Sequence, residues 1–130
     1  MSKEHLSTPL APAAIGPYSQ GVKINGTAYL SGQIGMDPVS GQLVAGGLEA
    51  EVRQAFNNLQ KVADAAGGTL DDCVKLTLFL TDLSHFPKVN ELMQAYFHAP
   101  FPARSTIGVA SLPRGAQFEV EAIMVIHRNW

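Results

Sequence analysis

Phe101-Pro102-Ala103-Arg104-Ser105-Thr106, running on to Phe118-Glu119-Val120-Glu121-Ala122, is the stretch whose reading decides the fold. Each end reads as a β-strand, and Leu112-Pro113-Arg114-Gly115 lies in the loop between them. Strand side chains alternate between the two faces of a sheet. In the second strand Phe118, Val120, Ala122, Met124 and Ile126 therefore form one apolar row, with Glu119 and Glu121 on the opposite face. In the first, Arg104, Thr106 and Gly108 share one face and Ser105, Ile107 and Val109 the other. This reading puts Arg104, Glu119 and Glu121 together on the side of the sheet that its own core does not use.

Upstream, Cys73 to Thr81 alternates as well, with Val74, Leu76, Leu78 and Leu80 on one face and Cys73, Lys75, Thr77 and Phe79 on the other. Asp82 or Ser84 then caps a helix whose buried stripe is Phe86, Val89, Met93, Tyr96 and Phe97. Pro100 and Pro102 end that helix. An earlier helical stripe runs from Leu48 to Ala66 through Val52, Ala55, Phe56, Leu59, Val62 and Ala63, and Gly67-Gly68 stops it. Thr69 followed by Asp72 resembles an N-cap for one helical turn. Gly21–Ile24 and Thr27–Ser31 flank Asn25-Gly26, the pair that a two-residue type I′ hairpin turn requires. Residues 1–18 show no period and read as an extended lead-in. The order is β-β-α-β-α-β-β, which predicts a single two-layer α+β domain over residues 1–130, with two helices on one face of a mixed sheet.

Totals narrow the class. The chain has 130 residues, 46% of them hydrophobic, and a net charge of −2, so no broad basic surface advertises nucleic acid. Cys73 is the single cysteine; it excludes an intrachain disulfide and reads as a half-buried thiol in a strand rather than a nucleophile. The N-terminal residues lack the apolar core of a signal peptide, and no apolar run approaches the ~20 residues of a membrane helix, so a cytoplasmic location is expected. His5, His85, His98 and His127 are scattered and form no chelating pair, so they read as surface or packing residues; neither metal nor cofactor is expected.

The open face of the predicted sheet carries Lys75, Thr77, Phe79, Arg104, Thr106, Glu119, Glu121, Ile123 and Val125. It is too apolar to be simply wet and too charged for a sealed core. A symmetric oligomer, with charges paired across it (Lys75 with Glu121, for example), resolves the conflict.

Seven segments resemble the RidA (YjgF/YER057c/UK114) family across nearly the whole chain. They are Ala14-Ile15-Gly16-Pro17-Tyr18-Ser19-Gln20, Ser31-Gly32-Gln33-Ile34, Ala65-Ala66-Gly67, Val74-Lys75-Leu76-Thr77, Phe86-Pro87-Lys88-Val89-Asn90, Phe101-Pro102-Ala103-Arg104-Ser105 and Glu119-Val120-Glu121-Ala122. The resemblance implies a chorismate-mutase-like fold, a homotrimer with sites between subunits, and hydrolysis of reactive 2-imino acids to 2-oxo acids and ammonia. It implies that Arg104 grips the substrate carboxylate and that Glu119 is the catalytic carboxyl. Tyr18, Ser31, Gly32 and Asn90 match positions lining the same cleft, some from the neighbouring subunit. Thr106 stands where many members of the deaminase subgroup carry cysteine; its hydroxyl or carbonyl is expected to orient the attacking water.

The residues suit that chemistry. Arginine offers a carboxylate two parallel N–H···O bonds, which lysine does not. A single carboxyl group can take a proton from water and return one to the departing nitrogen. Burial is expected to raise the pKa of Glu119 and Arg104 to lower it. The plainer alternative makes Arg104–Glu119 an interface salt bridge, with Glu121 a structural partner. Two other functions stand beside the deaminase: an endoribonuclease or translation inhibitor, and a non-catalytic binder of small keto or carboxylic acids.

Overall fold

The computed structural model describes residues 2–126. Six strands and two helices follow in the order β1 (Glu4–Leu6), β2 (Gly21–Ile24), β3 (Thr27–Gln33), α1 (Gly47–Ala65), β4 (Cys73–Leu80), α2 (Phe86–Met93), β5 (Ala103–Gly108) and β6 (Phe118–Val125). They build one sheet in the order β1-β2-β3-β6-β4-β5, in which β4 and β5 run parallel and every other neighbouring pair antiparallel. The last strand in sequence thus inserts between β3 and β4 and becomes the centre of the sheet. The expected order holds with one addition. Glu4–Leu6, inside the segment read as lead-in, is a short edge strand against Gly21–Lys23.

Local signals explain most of the boundaries. Asn25 and Gly26 both take positive φ, 52° and 87°, as the two-residue turn between β2 and β3 demands. Helix α1 ends where Gly67 turns left-handed at φ 93° and Gly68 donates its N–H back to Ala63. Thr69 and Asp72 form the reciprocal cap on the 3₁₀ turn Leu70–Asp72, with Thr69 N to Asp72 Oδ2 at 2.9 Å. Asp82 caps the turn Leu83–His85, which runs directly into α2.

Leu76, Leu78 and Leu80 of β4 pair with Ala122, Val120 and Phe118 of β6, and this apolar face is fully covered by the helices. Phe56 of α1 anchors the layer, its ring 5.1 Å from Tyr96, 5.6 Å from Phe97 and 5.5 Å from Phe118. Truncating such a ring to alanine typically costs about 3–5 kcal/mol.

Three details depart from the expected pattern. A register shift between Cys73 and Lys75 turns Cys73 inward opposite Met124 and leaves Val74 half exposed. Leu92 joins the buried stripe of α2. Helix α1 also buries two polar side chains. Asn58 Nδ2 donates to the carbonyls of Ile34 (3.1 Å) and Met36 (2.9 Å), and the Glu51 carboxylate accepts from Gln117 N (2.8 Å) and Gln117 Nε2 (2.9 Å). Paired in this way, they fasten the helix to the chain leaving β3 and entering β6.

Candidate functional site

Glu119 sits on β6 opposite Phe79 of β4, on the face away from the helices. Beside it the β3–β6 ladder slips: Leu30 pairs with Ala122, but Gln33 pairs with Val120, so Ser31 and Gly32 together oppose one residue. That is a β-bulge, a common device for re-aiming side chains next to functional sites. Its effect is specific. A Cβ on Gly32 would collide with Glu119 Oε2 and stand 2.9 Å from its Cδ, so only glycine lets the carboxyl group lie over the bulge. Ser31 is fixed there by its N–H to the Gln20 carbonyl (2.9 Å) and its hydroxyl to the Ser19 carbonyl (2.5 Å).

A cleft of about 570 Å³ opens here, with Tyr18, Ser31, Gly32, Arg114 and Glu119 in its wall. Glu119 is half-buried, and that burial, followed by the nearby charge of Glu121, pushes its carboxyl above the ordinary carboxylate range. Such a group moves protons more readily near neutrality than a solvated glutamate. A shallower depression of about 600 Å³ lies on the other side of Tyr18 and Ser31, but no carboxylate lines it.

Arg104 belongs to a second cleft. It pairs with Leu76, a core residue, and its guanidinium reaches back toward α2. Nη1 donates to Asn90 Oδ1 at 2.7 Å and lies 3.5 Å from Met93 Sδ, while Cζ stands 4.8 Å from the centroid of Phe86. Both contacts use one nitrogen. Among the described residues the Nε–Nη2 edge has no protein partner, and that edge is the fork that matches a carboxylate. The surrounding hollow, about 390 Å³, is lined by Asn90, Met93, Gln94, Phe97, Phe101, Pro102 and Arg104.

The expected single-face pair is therefore corrected. Within one chain Arg104 and Thr106, opposite Leu76 and Leu78, face the helices, whereas Glu119 and Glu121, opposite Phe79 and Thr77, face away. Ser105 and Ile107 take the places on the open face that were assigned to Arg104 and Thr106. Within the chain Lys75 Nζ there donates to Ser105 Oγ at 3.0 Å. Within one chain the raised pKa of Glu119 therefore has burial as its larger cause and the charge of Glu121 as its smaller, with no opposing influence from that chain's own Arg104. The cleft residues sort into two groups: Tyr18, Ser31 and Gly32 with Glu119, and Asn90 with Arg104.

Sequence reasoning passed over Arg114 and Gln20. Arg114 lines the Glu119 cleft from a backbone with φ 61°, a conformation costly for a non-glycine residue; Pro113 and Gly115 around it mark a tight turn and were the available signal. Cys73 is buried, and desolvation first, then Asp72 and Asp71, push its thiol up to about 12. His5 bonds Ser19 Oγ at 2.9 Å, His98 lies 3.1 Å from Asp71, His85 lies 3.9 Å from Asp82, and His127 is outside the described residues. Among the described residues no three His, Cys, Asp or Glu side chains gather to hold a metal, and no helix is long and apolar enough to cross a membrane.

Fold and site together define a two-layer α+β protein with an arginine whose Nε–Nη2 edge is open and a half-buried carboxyl group in separate clefts. Residues 8–126 match the endoribonuclease L-PSP family. The chain is 51% identical over 120 residues to the 2-iminobutanoate/2-iminopropanoate deaminase of Mus musculus, covering 92% of this chain and 89% of that one. It is 48% identical over 124 residues to the protein of the same name from Dermatophagoides farinae, covering 95% and 97%. Among solved structures, RidA from the Antarctic bacterium Psychrobacter sp. superposes with a TM-score of 0.91 at 45% identity, over 95% of this chain and 99% of that one. Yeast Mmf1 superposes with a TM-score of 0.92 at 37% identity, over 97% and 100%. The chain belongs to the L-PSP family, in its RidA branch.

Proposed function

We propose that the protein hydrolyses 2-imino acids, such as 2-iminobutanoate and 2-iminopropanoate, to 2-oxo acids and ammonia, in a cytoplasmic homotrimer whose sites lie between copies. The observation that carries this reading is the division of the site. The carboxyl group and the guanidinium that the chemistry requires sit on opposite faces of one sheet, each in an open cleft. A ring in which one copy's helix-side cleft meets its neighbour's open-face cleft brings them together, and a cyclic, head-to-tail arrangement does this at every interface.

In such a site Arg104 of one copy holds the substrate carboxylate through its Nε–Nη2 edge, with Asn90 fixing the guanidinium plane. Glu119 of the next copy takes a proton from water as the water oxygen bonds to the imine carbon, and the C=N electron pair moves onto nitrogen. Glu119 returns the proton to that nitrogen. Glu119 then takes the proton of the new hydroxyl group and passes it to nitrogen, and as the hydroxyl oxygen's electron pair forms the C=O bond the C–N bond breaks, releasing ammonia and the 2-oxo acid. Thr106, on the face of Arg104, orients the water, and Tyr18 closes the cleft over the ligand. Positioned acid–base catalysis of this kind contributes about 10²–10⁴-fold.

The test generates 2-iminobutanoate with a threonine dehydratase and traps it with semicarbazide. The protein is expected to shorten the lifetime of the imine and suppress the semicarbazone, and Arg104→Ala to abolish the effect. Unchanged semicarbazone formation in the presence of a protein that binds 2-oxobutanoate makes it a carboxylate binder instead. The family description names an endoribonuclease, but a net charge of −2 and two clefts without a histidine give that activity less support.

A further inference from the structure

Between β1 and β2 the chain carries Pro9, Pro12 and Pro17, three residues without an N–H. Such a segment is short of donors for its own carbonyls, and buried carbonyls must find donors. One side chain supplies them. Gln20, only 3% exposed, donates from Nε2 to the carbonyls of Thr8 (3.0 Å), Ala11 (3.3 Å) and Pro12 (2.7 Å), and its Oε1 accepts from Thr8 N (2.7 Å). Two N–H bonds shared among three carbonyls, plus one accepted bond, engage both the donor and the acceptor of a carboxamide. The segment held in this way puts Pro12, Ala13 and Ile15 into the wall of the Glu119 cleft, and the Gln20 carbonyl itself accepts from Ser31 at the bulge.

We infer that Gln20 is a positioning residue for the deaminase site: it fastens the proline-rich lead-in as a fixed wall of the substrate cleft. The inference rests on the reading of that cleft as the imine site. The lead-in is then a built surface against which the substrate is pressed toward Glu119. Its position depends on donors that neither alanine nor glutamate provides at residue 20.

The experiment compares full-length Gln20→Ala and Gln20→Glu with the parent in the semicarbazide assay, and measures 2-oxobutanoate binding by calorimetry. Both variants are expected to raise KM, and the Kd for 2-oxobutanoate, by about tenfold, with kcat changed less than about threefold. A purely structural glutamine would lower the melting temperature yet leave the KM of the folded fraction alone. A folded Gln20→Ala variant with KM within about twofold of the parent overturns the inference. If that variant does not fold, Ile15→Ala at the exposed end of the wall decides: an increase in KM of about threefold supports the wall, and an unchanged KM removes it. Glu119→Gln separates the two levels. Retention of full activity there discards the imine site itself, whereas its loss alongside an unaffected Gln20→Ala discards only the role of Gln20.

Discussion

The two clefts are built from different materials. The carboxylate cleft lies at the centre of the sheet and is made by backbone: a bulge at Ser31-Gly32, a glycine under the carboxyl group, and a tethered lead-in. The arginine cleft lies at the edge and is made by side chains, with Asn90, Met93 and Phe86 of α2 gripping a guanidinium from β5. Burial accompanies the first, which raises the pKa of Glu119; exposure accompanies the second, where Arg104, Asn90 and Phe101 all face solvent. A half-desolvated acid needs rigid surroundings, whereas an anion-catching arginine needs access. Putting the two on opposite faces of one sheet satisfies both demands, and in the proposed reaction it leaves each cleft in need of the other.

The sharpest way to break this comparison is complementation. Arg104→Ala and Glu119→Gln are each expected to lose at least about 10²-fold in kcat/KM. Co-expressed in equal amounts under different tags and purified as mixed assemblies, they are expected to recover about one quarter of wild-type activity. One half of the copies supply an intact Glu119 and one half an intact Arg104, so random assembly completes about one site in four. If both groups of a site came from a single copy, the mixture would stay inactive.

Gly32→Ala tests the carboxylate cleft alone. The three atoms nearest the new methyl group all belong to the flexible Glu119 side chain, so Oε2 is the atom that must move. Activity is expected to fall about 10²-fold while the melting temperature moves little. A large loss of stability with activity intact would mean that the bulge is structural only.

Asn90→Ala tests the other cleft. It removes the 2.7 Å partner of Arg104 Nη1 and lets the guanidinium swing between rotamers. A lost hydrogen bond to a charged group is worth about 1.5–3 kcal/mol when buried and less at an exposed site. KM is therefore expected to rise about tenfold with kcat nearly unchanged, measured in the same assay.

Alternation, two helical stripes and the Asn25-Gly26 turn revealed every strand and α-helix except β1, and alternation revealed which residues of β6 are apolar. It did not relate β5 to β6. Those strands are not neighbours, β4 lies between them, and the loop through Pro113 and Gly115 carries no parity from one to the other. Arg104 and Glu119 were thus assigned one face on a phase that the sequence does not contain. The same blindness misplaced Cys73 and Val74, where one irregular step reverses the faces. The bulge at Ser31-Gly32 was legible only as a pair of small residues. Gln20 left a faint signal, since three prolines in nine positions announce carbonyls that need a donor from elsewhere. The family motifs name positions in both clefts, but they do not say which face of the sheet each residue belongs to.

The smallest effect concerns the charge beside Glu119. Burial is the larger cause of its raised pKa and Glu121 the smaller, so Glu121→Gln removes a repulsion and moves the pKa of Glu119 downward. If Glu119 takes its proton from water as the ionised form, activity rises with pH through that pKa. The acid limb of the kcat/KM profile should then shift to lower pH in Glu121→Gln, with kcat at neutral pH changed less than about twofold. Stability gives an independent reading of the same group. Folded Glu119 holds its proton more tightly than the unfolded chain does, so the native state binds more protons between the ordinary carboxylate value and the raised one. Stability contributed by Glu119 is therefore lost as pH rises through that window. Glu119→Gln has no such loss, so above the window it should be the more stable protein. Melting curves of both proteins from acid to neutral pH check the sign: a difference that shrinks with rising pH would mean that Glu119 is stabilised as a carboxylate, and the carboxylate cleft would lose the feature that sets it apart from the arginine cleft.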